Sequence, residues 1–135
     1  MTTTQQAPQP HAIVVFAHGS RDPLWKLPVE AVASRVAARV PQALVRCAYL
    51  ELTTPDLPSV VAEVISKFVA TNSMNRQTVR VFPLFFGVGR HAREDLPALM
   101  ADLQRSYPAW QFELTQSAGE FDAVLDAAAA CAAVS

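Results

Sequence analysis

Two histidines occupy matching places in this chain. His18 follows the apolar run Ile13-Val14-Val15-Phe16-Ala17 and opens the segment Gly19-Ser20-Arg21-Asp22-Pro23. His91 follows Val79-Arg80-Val81-Phe82-Pro83-Leu84-Phe85-Phe86 and the turn Gly87-Val88-Gly89-Arg90. Neutral imidazole is a good ligand for divalent first-row metals, and its ordinary pKa lets it accept a proton near neutral pH. Glu51, placed after another apolar run, adds a carboxylate able to do either job. Arg21, Arg90 and Arg93 lie beside the histidines, and a guanidinium fork suits carboxylate anions. These residue types point to a site that handles a metal ion, or protons, for an anionic substrate.

The elements that must position these groups follow from periodicity. Ala12 to Ala17 is continuously apolar, as a parallel strand buried on both faces must be. Val29, Val32, Ala33, Val36, Ala37 and Val40 recur at helical spacing, with Pro23 and Pro28 at the entry and Pro41 as the stop. Leu44 to Leu50 reads as a second strand. Asp56 is an N-cap for a helix carrying Leu57, Val60, Val61, Val64, Ile65, Phe68 and Val69 on one face. After a polar connection at Asn72 to Gln77, a third strand is predicted over Thr78 to Phe86, then a flexible Gly87-Val88-Gly89 turn and a helix over Arg93 to Tyr107. Trp110 to Leu114 is the fourth strand and Phe121 to Val134 the last helix. Alternation of this kind predicts an α/β fold, a four-stranded parallel sheet between two layers of helices. In such a sheet all strands share one carboxyl edge, where ligands bind. His18, Ser20, Arg21, Glu51, Arg90, His91, Arg93, Gln116 and Ser117 all fall on that edge, whereas His11 precedes the first strand and belongs to the opposite one.

Bulk properties exclude several classes. The chain has 135 residues, 51% of them hydrophobic, enough for one domain to fold without staples. We take Met1 to Pro10, polar and rich in Pro, Gln and Thr, as a disordered tail and residues 11–135 as one domain. A formal net charge of −1 gives no basic face for nucleic acid. No segment reaches the length of a membrane span, and the tail lacks the basic and apolar regions of a signal peptide, which predicts a cytoplasmic protein. Cys47 and Cys131 form no metal-binding spacing and are expected to be buried, reduced thiols. No phosphate-binding glycine loop, dinucleotide fingerprint or nucleophile elbow is present. A phosphatase built on a strand-end histidine would carry an arginine directly before it, and Ala17 stands there.

Each candidate also has an ordinary reading. A histidine after a strand can be a structural hydrogen-bonder, Glu51 can cap the next helix or face solvent, and Ser20 can be a turn hydroxyl or an N-cap. Arg90 and Arg93 can be surface charges. The pairing of His18 with His91 in equivalent places favours the functional reading.

Three ordered segments, "FAHGSRDP" (Phe16 to Pro23), "AYLELTTPDLP" (Ala48 to Pro58) and "VFPLFFGVGRHAREDLP" (Val81 to Pro97), resemble the small single-domain sirohydrochlorin chelatases of the CbiX/SirB type, the class II chelatases. The similarity runs over nearly all of Ala12 to Ala133. It implies a chelatase fold equivalent to half of the longer two-domain members, and insertion of Co²⁺ or Fe²⁺ into sirohydrochlorin for cobalamin or siroheme synthesis. It also implies a homodimer. The family's two motif histidines, which handle metal and accept protons, match His18 and His91. The metal is a substrate and no permanent cofactor is implied; the iron–sulfur cysteine motif of the plant members is missing. Arg90 stands where related sequences often have a small residue. Sirohydrochlorin carries eight carboxylates and loses two pyrrole N–H protons on metallation. Ser20, Arg21, Arg90 and Arg93, with Lys26, are the candidate partners of those carboxylates, and His18, His91 and Glu51 the candidate catalytic groups. Which histidine binds metal and which takes the proton stays open, as does the metal, since Co²⁺, Fe²⁺ and Ni²⁺ all accept imidazole and carboxylate. The alternative is a tetrapyrrole- or metal-binding carrier that catalyses nothing.

Overall fold

A computed structural model describes residues 10–68 and 77–134. Residues 1–9 of the expected tail, Val69 and residues 72–76 of the expected connection lie outside the described residues; Pro10, expected as the end of a disordered tail, is buried, and Gln77, expected in the connection, opens β3. The elements are β1 (Ala12–Ala17), α1 (Leu27–Arg39), β2 (Leu44–Tyr49), α2 (Leu57–Phe68), β3 (Gln77–Pro83), α3 (Arg90–Ser106), β4 (Trp110–Leu114), a short 3₁₀ turn (Ala118–Glu120) and α4 (Asp122–Ala132). The strands form one parallel sheet in the order β2-β1-β3-β4. The chain moves from β1 to β2 on one side, then returns to place β3 on the other. That reversal makes the carboxyl ends of β1 and β3 a topological switch point, the place where open α/β sheets bind ligands.

β1 is buried along its whole length because both of its faces are covered. Ala12, Val14 and Phe16 pack with Leu57, Val60, Val61 and Val64 of α2 and with Ala92, Leu96 and Leu103 of α3. Val15 and Ala17 face the other way, against Val29 of α1 and Tyr49. Phe82 is the sheet neighbour of Val15, and its ring lies 5.9 Å from that of Phe121 at the entry to α4, so α4 shares the face of α1. The two layers are unequal. α2 buries four residues, α1 buries Val29 alone and α4 buries none.

That imbalance corrects one expectation. Cys131 on α4 is exposed and Cys47 on β2 is half-buried, although both are free thiols as expected. Burial pushes the Cys47 thiol above its usual range, while a hydrogen bond with Tyr49 pulls the other way. Tyr49, 2% exposed, is pushed up to about 12, first by burial and then by Cys47 and Glu30.

Two boundaries near His91 differ from the pattern reading. β3 stops at Pro83, not Phe86. The Leu84 N–H still donates to the Phe16 carbonyl at 2.7 Å, but the pairing of β3 with β1 ends at Phe16 and Pro83. α3 starts at Arg90, three residues before the predicted start. Gly89 is its N-cap, in extended conformation, and the Arg93 N–H closes the first turn on the Gly89 carbonyl at 3.1 Å. A glycine pair reads as flexibility in sequence; here its second member caps a helix. Pro97 consequently lies inside α3. His91 therefore sits in the first turn of α3 and not in a loop before it.

Asp56 caps α2 as predicted. Its carboxylate accepts the Ser59 N–H at 2.9 Å, and the bonds from Ser59 hold its pKa below the ordinary 3.8. A carboxyl whose pKa is lowered by folding stabilises the fold above its unfolded pKa, and that contribution disappears as pH falls through the lowered value. Asp56→Ala should cost about 1 kcal/mol at pH 7. Asp56→Asn should retain most of the cap and lose the pH dependence. Urea melts at neutral and acidic pH check both expectations.

Candidate functional site

The carboxyl ends of β1 and β2 run on as a pair beyond their last strand residues. The Leu50 N–H donates to the Ala17 carbonyl at 2.9 Å and the Glu51 N–H to the His18 carbonyl at 3.1 Å. This extension of the parallel ladder joins the backbones of His18 and Glu51, and both residues line one cleft. Gly19 makes the approach possible. Its φ is +105°, and a Cβ built on it would overlap the Glu51 carbonyl. Only glycine tolerates both the left-handed backbone and the contact.

The second loop is tied to the first by Thr53. Its hydroxyl accepts the Ser20 N–H at 2.9 Å and donates to the Ser20 carbonyl at 2.7 Å. Between Glu51 and Thr53 lies Leu52, with φ +64°. The Thr53 N–H donates to the Glu51 carbonyl at 2.8 Å, two residues back, which makes a γ-turn of the positive-φ kind. Such a conformation in a branched, non-glycine residue stores roughly 1–3 kcal/mol and persists only where its surroundings over-determine it.

His18 and Glu51 open into a cleft of about 460 Å³. Its floor is Leu50 and Phe85, and the Phe85 ring, 7% exposed, lies 5.8 Å from the His18 imidazole. Gly87, Gly89, Arg90 and Ala92 form the wall contributed by the β3–α3 turn and the start of α3. The Gly119 N–H donates to the Phe85 carbonyl at 2.9 Å, and a Cβ on Gly119 would overlap the Phe86 carbonyl, so the 3₁₀ turn clamps this wall from behind. The backbone of His91 lies between two lining residues, Arg90 and Ala92, which brings all three candidate catalytic positions to the carboxyl edge. The His91 side chain itself lies outside the described residues.

The remaining candidates divide. Arg90 lines the cleft and pairs with Glu94 at 3.3 Å, but both side chains are well exposed, so this pair is weak and easily exchanged for a substrate carboxylate. Arg93 lines a separate, shallower cleft on the β4 side, with Gln116, Ser117 and Glu120. The hydroxyl of Ser117, 5% exposed, has no partner among the described residues. The Ser20 hydroxyl is occupied locally, accepting the Asp22 N–H at 3.1 Å. Arg21 is exposed in the β1–α1 segment, and Lys26, at the entry to α1, is half-buried. His11 lies at the opposite edge as expected, accepting the Thr78 N–H at 3.2 Å and packing against Phe68 and Trp110.

Asp95 was missed by pattern reading. It lines the His18 cleft and also a second cleft, of about 390 Å³, that shares Leu50 with the first. It is four residues after His91 and so on the same face of α3. The signal was present, but a helix read as starting at Arg93 hid it. Among the described residues no three His, Cys, Asp or Glu side chains come close enough to form a closed metal site. No helix among them is long and apolar enough to cross a membrane.

The family model for CbiX matches residues 12–132. The sirohydrochlorin cobaltochelatase of Methanococcus maripaludis is 30% identical over 89 residues, 66% of this chain and 57% of that protein. The sirohydrochlorin cobaltochelatase of Methanococcoides burtonii is 28% identical over 88 residues, 65% of this chain and 62% of that protein. The matches thus span less than two thirds of these relatives. Among solved structures, a CbiX protein ascribed to cobalamin (vitamin B12) biosynthesis in Marinobacter aquaeolei VT8 superposes with a TM-score of 0.74 at 28% identity, covering 91% of this chain and 94% of that one. SirB from Bacillus subtilis, solved with Fe³⁺, superposes with a TM-score of 0.71 at 22% identity, covering 94% of this chain and 49% of that one, which is a likeness of fold to half of the larger protein.

Proposed function

The chain belongs to the CbiX family, and from that premise we propose that it is a sirohydrochlorin chelatase, inserting Co²⁺ or Fe²⁺ into the macrocycle for cobalamin or siroheme synthesis. The observation that carries this reading is the cleft at the β1/β3 switch point, where His18 and Glu51 are bonded backbone to backbone and the His91 backbone sits in the opposite wall. Metallation exchanges one divalent ion for two pyrrole protons. The site must present the ion to one face of the ring and take up protons. A protonated imidazole is no ligand, so one histidine cannot do both jobs at once. His18 and His91 divide the work, with Glu51 beside His18 as a further acceptor or ligand. The ion is substrate here, and a site that must release it is better open than closed by four ligands.

Arg90 at the wall, with Arg21, Arg93 and Ser20 further out, is the complement to the rim carboxylates. Arg90→Ala and Arg93→Ala should raise KM for sirohydrochlorin about three- to tenfold at low ionic strength, less at high salt, with little change in kcat. Saturation series at two salt concentrations check this. A fall in kcat at unchanged KM would move these arginines from substrate binding to the chemical step.

We further propose that residues 11–135 act as one domain, paired as a homodimer in the cytoplasm. The cleft is small for a tetrapyrrole and its polar side chains are exposed, so a second copy would help enclose the ring. Two free thiols agree with a reducing compartment. The deciding experiment is anaerobic mixing with sirohydrochlorin and Co²⁺ or Fe²⁺, followed by absorbance. Metallation faster than the uncatalysed rate supports the chelatase; binding without acceleration would make the chain a carrier.

A further inference from the structure

Five large apolar side chains stand exposed at the carboxyl edge: Leu24 and Trp25 before α1, Leu27 as its first residue, Leu52 after β2 and Phe86 after β3. Two of them are held out by fixed backbone. Leu52 is 55% exposed in its γ-turn, which is pinned on one side by the Glu51–His18 hydrogen bond and on the other by the Thr53–Ser20 pair. Phe86 is 66% exposed, with its carbonyl packed against Gly119. Each is bonded in sequence to a residue that lines the His18 cleft, Leu52 to Glu51 and Phe86 to Phe85 and Gly87. A strained backbone that holds an apolar side chain in water gives the isolated fold nothing, and an outlier of this sort is a pointer to function.

We propose that Leu52 and Phe86 are substrate-positioning residues, two apolar posts that take the flat face of the macrocycle and hold its centre over His18 and Glu51. This rests on the chelatase reading. The occupant is a tetrapyrrole because the posts flank a cleft whose floor is aromatic and whose wall carries Arg90. An apolar disc with an anionic rim matches that combination of surfaces. A protein segment seated on the posts would instead cover the cleft mouth.

The test compares Leu52→Gly, Leu52→Met and Phe86→Ala with the wild type. Glycine is at ease at φ +64°, and the lost side chain makes little packing, so L52G should melt no lower than wild type. Its Kd and KM for sirohydrochlorin should rise about tenfold, from the apolar surface no longer buried, with kcat at saturation preserved. F86A should behave likewise, and L52M, which keeps an apolar post, should bind within about twofold of wild type. Wild-type Kd and KM in L52G would overturn the proposal, as would a lower kcat at unchanged KM. Light scattering of the same proteins supplies another arm: loss of a dimer in L52G or F86A would assign the posts to a second copy and not to the ring. Should the wild type bind sirohydrochlorin without metallating it, the chelatase reading fails while the Kd series still judges the posts. No binding by the wild type would overturn both.

Discussion

Metallation of sirohydrochlorin should slow about 10²–10⁴-fold when His18 is replaced by Ala, the usual consequence of losing a positioned proton acceptor. His91→Ala should fall in the same range. Binding of the metal-free macrocycle should change little in either variant, because on the proposed reading its rim carboxylates pair with arginines and not with imidazoles. The signature is thus a drop in kcat with KM nearly constant. The two histidines act as a unit, so the double variant should be little worse than the poorer single one. His18 is exposed and makes no side-chain hydrogen bond among those described, so its removal should leave the melting temperature unchanged. Stopped-flow absorbance under anaerobic conditions measures the rates. Both variants metallating at the wild-type rate would show that the cleft at the β1/β3 switch is not where the ion enters the ring.

Gly19→Ala should damage both stability and activity, although it adds a single methyl group. The backbone at Gly19 has φ +105°, and the new Cβ would overlap the carbonyl of Glu51. Left-handed strain and forced displacement of packed backbone together cost about 2–4 kcal/mol. The displaced partner is the segment whose N–H bonds the His18 carbonyl, so the histidine and the carboxylate should separate. Activity should therefore fall even at temperatures where the variant remains folded. A larger loss in G19A than in S20A would be consistent, since within the fold the Ser20 hydroxyl holds one N–H of a local turn and its removal leaves the backbone approach to Glu51 intact. A G19A protein with wild-type melting temperature and rate would mean that this close approach does not set the site.

The sequence by itself determined the order of elements, the parallel sheet and the edge on which the candidate residues lie. β1 is apolar throughout because a central parallel strand has two buried faces, and that signal is strong over six residues. Asp56 was legible as a cap because capping is local, needing a short polar side chain three residues before the N–H it accepts. His18, Glu51 and His91 could be placed on one edge because every strand in a parallel sheet points the same way.

Only the tertiary structure decided which of the edge residues meet. Arg90 and Arg93 line different clefts, although α3, beginning at Arg90, sets them at i,i+3 spacing, where residues are neighbours on a helix. That start depends on Gly89 serving as a cap, a choice that two glycines in a row of loop residues leave undecided. The nearness of His18 to Glu51 depends on strand register, and register is a relation between segments far apart in the chain. The positive φ of Leu52 had no signal at all in sequence. No residue preference favours it; the bonds from its neighbours Glu51 and Thr53 to His18 and Ser20 hold it from the adjacent loop, and contacts of that kind exist only once the chain has folded.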